Sequence, residues 1–257
     1  MTQDPSASSL RVLRAASLAV PVVVMPSLLA IPGLRTRLAP RMAGWGSSSS
    51  IGLTFDDGPD PKSTPFILDE LARSASTATF FVLGRNLESN AALVRRIVDE
   101  GHELAVHGWT HRPHVLMSIS TVLAEIRQTA TLIEDITGTQ ARWFRPPYGA
   151  VSWGDLVADR VTAMRMVLWT TWGQDWKRRA TGDSVMESLS RGGISGGSTV
   201  LLHDSDCTSA LDSWRATLAA LPLLTRRAQD LGLRLRTLND HLGGRLDSTS
   251  SGTLGNT

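Results

Sequence analysis

Seven short apolar runs of β character, at residues 51–55, 78–83, 103–106, 142–144, 164–170, 198–202 and 233–238, are separated mostly by longer stretches of helical spacing. Those stretches, at 64–72, 90–100, 119–137, 184–191 and 214–231, carry apolar residues every three or four positions, which predicts amphipathic helices. Pro222 is placed to kink or break the last one. Strands alternating with helices imply a parallel sheet, because parallel strands need long crossovers and helices are the usual ones. A chain of 257 residues can bury a substantial core in one such domain, without disulfides or repeats.

The polar residues fall just past the strand ends. Asp56 and Asp57 follow the first strand, His107 the third, Arg145 the fourth, and His203 and Asp204 the sixth, while Asp175 comes soon after the fifth. That rim is where α/β barrels assemble active sites. Five strands delivering acids, histidines and an arginine to one rim predict a single cleft.

In Thr54-Phe55-Asp56-Asp57-Gly58-Pro59, two adjacent carboxylates leave a strand before a sharp turn. Taken alone, such a pair also serves as solvated or capping residues. A carboxylate and two imidazoles, however, can hold a zinc-like ion with a position open for water, and a second, free carboxylate can take that water's proton. His107 and His111, four apart, could supply the imidazoles from one face of a helical turn, although an HxxxH pair by itself equally describes surface or capping histidines. Arg145-Pro146-Pro147-Tyr148-Gly149 is a proline-stiffened turn, from which the arginine could orient the free carboxylate. His203 at a strand end is a natural proton donor near neutral pH that Asp175 could orient, or a satisfied structural histidine. Trp109 and Trp176 offer flat faces to sugar rings, with core or rim packing equally open for Trp109.

Ala15 to Ile31 is an apolar run with Arg11 and Arg14 before it and Arg35, Arg37 and Arg41 after it. It reads as a signal anchor or signal peptide, retained rather than cleaved, which places the rest of the chain outside the cell membrane or in the secreted fraction. The expected division is residues 1–45 as this segment and its linker, 46–245 as the folded domain, and 246–257 as a polar disordered tail. The charge balance of 26 basic against 24 acidic residues, with no Lys/Arg stripe, argues against nucleic acid as a partner. The single cysteine, Cys207, excludes an intramolecular disulfide and reads as a buried or half-buried small hydrophobe.

These motifs, in this order across roughly residues 51–238, resemble the polysaccharide deacetylase family, carbohydrate esterase family 4, whose fold is the NodB homology domain. The resemblance implies a distorted (β/α) barrel of about seven strands and one divalent metal ion, with zinc expected and other divalent ions compatible. It makes Asp56 the catalytic base and Asp57, His107 and His111 the metal ligands. It assigns Arg145 to steadying Asp56, the Tyr148 backbone amide to the oxyanion, Asp175 and Trp176 to the Asp-Trp motif, Leu201 to the acetyl-pocket wall, and His203 to general acid. The implied activity is removal of N-acetyl groups from an extracytoplasmic glycan of chitooligosaccharide or peptidoglycan type, by a monomer. An O-acetyl esterase of acetylxylan type and a non-catalytic glycan-binding member are the alternatives. Two positions depart from the family pattern: Gly108, where a Ser or Thr usually braces the metal loop, and Trp172, where many relatives carry an acid.

Overall fold

The computed structural model describes residues 35–37 and 39–246, and the side chains through 243. The apolar run 15–31 and the tail 247–257 lie outside the described residues. Among those described, no helix is long and apolar enough to cross a membrane.

In chain order the elements are β1 (Ser50–Asp56), α1 (Thr64–Arg73), β2 (Thr79–Val82), α2 (Ala91–Asp99), β3 (Glu103–Val106), α3 (Ile119–Thr137), β4 (Trp143–Phe144), α4 (Trp153–Val161), β5 (Arg165–Met166), β6 (Thr171–Trp172), α5 (Gly182–Gly192), β7 (Thr199–His203), α6 (Trp214–Asp230), β8 (Arg234–Arg236) and α7 (Leu238–Leu246). The strands pair in the order β5-β4-β3-β2-β1-β7-β6, with β8 beside the first half of β1. Every pairing is parallel. The result is a curled half-barrel with its seam between β5 and β6.

Alternation along the strands sorts the core into two faces. Phe80, Val82, Leu104, Val106 and Phe144 pack into the main core with α1, α2 and α3, whereas Phe81, Ala105, Trp143 and Val167 pack together with Leu238 and Leu242 of α7. The helices follow their apolar spacing and their caps. In α3 the buried residues are Val122, Ile126, Thr129 and Ile133, the Ser118 side chain accepts from the Thr121 N–H, and Gly138 ends the helix in the left-handed region at φ 70°. Pro222 is accommodated within α6, which runs on to Asp230.

Of the expected strand at 164–170 only β5, residues 165–166, is in the ladder, and β6 begins at Thr171, just beyond that run. Between them the ladder stops, and the freed carbonyls find arginine donors: Arg145 binds the Val167 and Leu168 carbonyls at 3.2 and 2.8 Å, and Arg35 binds that of Trp169. Helix α4 has no counterpart among the expected helices. Its signature is the capping box Ser152-Trp153-Gly154-Asp155, with each of the two side chains bonded to the other's backbone N–H.

The folded unit begins before residue 46. Ala43 is fully buried, Met42 packs on the core, the Met42 carbonyl accepts from the Leu168 N–H at 2.8 Å in the seam, and the Gly44 carbonyl accepts from Thr199 Oγ1. Three hydrogen bonds, counting that of Arg35 to the Trp169 carbonyl, and this burial contribute about 2–4 kcal/mol. A chain begun at residue 46 should therefore melt roughly 5–10 °C below one begun at residue 35, as read by circular dichroism. Equal melting temperatures would show that the seam closes without this segment.

Candidate active site

Strand register brings the polar residues together. Asp56 at the end of β1 is the partner of His203 at the end of β7, and Val106, which His107 follows, is the partner of Phe144, which Arg145 follows. The rim thus carries Asp56, Asp57, His107, Arg145 and His203 because their strands end at one level.

The loop after β3 does not form a helical turn. Gly108 at φ 81° and His111 at φ 59° reverse the chain through the left-handed region, and it is this loop that turns both imidazoles to one point, with ring centroids 5.1 Å apart. Asp57 and Tyr148 also hold positive φ, at 83° and 60°. Three non-glycine site residues in that sparsely populated region place local strain where the geometry is most demanding.

Asp57, His107 and His111 are buried, and their ligand atoms lie within 4.8 Å of one another. Asp57 Oδ1 is 3.0 Å from His111 Nε2 and 3.5 Å from His107 Nε2, yet it has no hydrogen-bond partner among the described residues. His107 Nδ1 lies 2.9 Å from the Arg145 carbonyl and must donate to it, which leaves its Nε2 a lone pair facing the carboxylate. A buried carboxylate oxygen facing the His107 lone pair and a second imidazole nitrogen, that of His111, fits a divalent cation. The second carboxylate oxygen, Oδ2, accepts from Thr208 Oγ1 at 2.9 Å. Burial pushes the Asp57 carboxyl upward, but the facing imidazoles of His107 and His111, together with the charge of His203, hold it well below the usual carboxylate range.

Asp56 stands outside this triad. Its Oδ1 accepts from Arg145 Nη1 at 2.6 Å, and its Oδ2 is 3.6 Å from His107 Nε2. Arg145 is fully buried, bonded also to Thr54 Oγ1 at 3.0 Å and lying over the Phe81 ring at 3.9 Å. Burial lowers its pKa and the Asp56 carboxylate raises it again, the net being downward. Across the cleft, His203 Nδ1 is 3.0 Å from Asp175 Oδ1, and Asp175 Oδ2 accepts from the His203 N–H at 2.7 Å and from Thr217 Oγ1 at 2.6 Å. Burial works to lower the His203 pKa. The charge and hydrogen bond of Asp175, together with the charges of Asp57 and Asp56, outweigh it and push the ring up to about 10.

The cleft between these groups is a cavity of about 260 Å³. Tyr148, Trp176 and Leu201 line it as expected, and Trp169, Trp172, Thr208 and Ser209 join them. Trp109 is a correction: it is not among the lining residues, because its ring packs over Gly84, where an added Cβ would come within 2.2 Å of the indole. Cys207 is also a correction, since it is exposed on the loop after β7 rather than buried. At Gly108, an added Cβ would lie 3.1 Å from Nε2 of the buried His114, so the space beside the metal loop is already filled by an imidazole bonded to Asp155 at 2.6 Å. Thr208 left no readable signal, as its bond to Asp57 spans 151 residues.

A parallel half-barrel with three convergent candidate ligands beside a non-ligating acid is an arrangement suited to hydrolysis. Comparison with known proteins identifies the family. Residues 44–167 match the polysaccharide deacetylase family. The chain is 33% identical over 208 residues to a chitooligosaccharide deacetylase of Sinorhizobium fredii, covering 79% of this chain and 95% of that protein. It is 34% identical over 200 residues to the peptidoglycan-N-acetylglucosamine deacetylase PgdA of Listeria monocytogenes, covering 78% of this chain but only 40% of PgdA. The solved structure of peptidoglycan deacetylase PdaC from Bacillus subtilis superposes with a TM-score of 0.65 at 30% identity, over 79% of this chain and 95% of that one. This chain belongs to the polysaccharide deacetylase family.

Proposed function

We propose that the protein is a metal-dependent hydrolase that removes N-acetyl groups from an extracytoplasmic polysaccharide or oligosaccharide of chitooligosaccharide or peptidoglycan type, held at the membrane by its N-terminal segment. The observation that carries this reading is the Asp57, His107 and His111 triad lying between two proton-handling groups, Asp56 held by Arg145 and His203 held by Asp175. The names of the relatives, chitooligosaccharide and peptidoglycan deacetylases, support the substrate class. The apolar run at 15–31 and its flanking arginines support the location.

A divalent ion bound by the triad, zinc by preference for this donor set, supplies Lewis acidity toward water and the acetyl carbonyl. Asp56 accepts the proton of the attacking water, with Arg145 fixing the carboxylate so that one oxygen stays free. The Tyr148 N–H donates to the carbonyl oxygen as it becomes negative. His203, whose Nδ1 is committed to Asp175, donates from Nε2 to the departing amine. Acetate and a free sugar amine leave.

The Asp175 contact sets the pH range. His203 must be protonated to act as an acid, so activity falls as pH rises through its pKa. Asp175→Asn removes the largest upward influence, and the alkaline limb of the kcat/KM profile should move down by about 1–3 pH units. An unmoved limb would assign it to another group.

Acetate release is the direct test of function. The protein loaded with zinc should release acetate and free amine in equal amounts from chitooligosaccharides or peptidoglycan. Release from acetylxylan alone would reassign it to O-acetyl esters. Glycan binding without acetate from any of the three would reject the enzyme reading.

A further inference from the structure

Taking the deacetylase reading as given, we propose that Trp172 forms the floor of the acyl pocket and restricts it to an acetyl group. Strand register supplies the layering. Leu201 is the partner of both Thr54 and Trp172, and Asp56 is the partner of His203 one step nearer the rim. Residues two apart on a strand point to one side of the sheet, and partners in register share that side. Leu201 and Trp172 therefore lie directly beneath Asp56 and His203, on the inner face that Thr54 shares with Arg145. All four of Asp56, His203, Leu201 and Trp172 line the same cavity.

The Trp172 indole is fixed from two sides. It stacks on Trp169, with centroids 5.8 Å apart and planes at 26°, and it meets Trp176 edge to face at 5.3 Å. Trp176 in turn meets His203 edge to face at 5.4 Å. The acyl side of the cavity is thereby closed by three indoles and Leu201, with no charge at position 172. Trp172 is a rigid bicycle with two rotatable bonds, wedged between its neighbours. A wall of that kind leaves no depth for a longer acyl chain, and each extra methylene that cannot be seated changes selectivity by about 10- to 200-fold.

The experiment compares kcat/KM for N-acetyl, N-propionyl and N-butyryl glucosamine oligomers in the parent, Trp172→Phe and Trp172→Ala. The parent should prefer acetyl over propionyl by at least about tenfold. Trp172→Ala should bring that ratio toward one or invert it, with Trp172→Phe between the two. Equal acyl selectivity in the parent and in a folded Trp172→Ala of normal metal content would overturn the proposal. If Trp172→Ala does not fold, Trp172→Phe decides, an unchanged ratio counting against the proposal. A parent inert toward all three amides would instead sink the deacetylase reading on which the floor's role depends.

Discussion

Asp56→Asn is expected to lower acetate release by about 10²–10⁴-fold while leaving the metal content unchanged. The amide keeps the shape of the carboxylate but cannot take a proton. Asp56 contributes no atom to the ligand triad, and its Oδ1 is engaged by Arg145 at 2.6 Å, so the variant separates proton transfer from metal binding. Stability should drop as well, because the fully buried Arg145 loses its charged partner. The assay therefore belongs well below the variant's melting temperature. Retained activity would move the base to another residue, and lost metal would place Asp56 among the ligands.

Removing a ligand should do the opposite. His111→Ala, or chelation of the parent, is expected to abolish acetate release, since the ion's charge stabilisation is worth several kcal/mol, roughly three orders of magnitude in rate. Adding back a divalent ion should restore the chelated parent and not the variant. That contrast separates loss of the ion from damage to the fold. His111 suits this test because its Nδ1 has no hydrogen-bond partner among the described residues, whereas truncating His107 would also remove the bond to the Arg145 carbonyl that ties the metal loop to the neighbouring strand.

What could be read from the sequence was set by the range of the interactions involved. Strand 103–106 and helix 119–137 have the expected bounds because each declares itself locally, one by a short apolar run and the other by spacing and a glycine cap. The rim residues were legible because they sit at strand ends, as Asp56 and His203 do, or immediately past them, as Asp57, His107 and Arg145 do. Spacing alone misjudged the 107–111 loop. Four residues suit a helical turn, but two left-handed residues achieve the convergence instead. The apolar run at 164–170 could not reveal where the ladder stops, which depends on Arg145, Arg35 and Met42 arriving from elsewhere in the chain. Trp109 was undecidable for the same reason, since its place is fixed by the bare surface of Gly84.

On the proposed reading, Asp57, His107 and His111 together hold one cation beside a non-ligating Asp56. Anomalous diffraction at the zinc edge, from crystals of the full chain grown with zinc, tests it most directly. One peak is expected within bonding distance of all three residues and not of the Asp56 carboxylate. A zinc-loaded crystal with no peak there, or with Asp56 coordinating in place of Asp57, would contradict it.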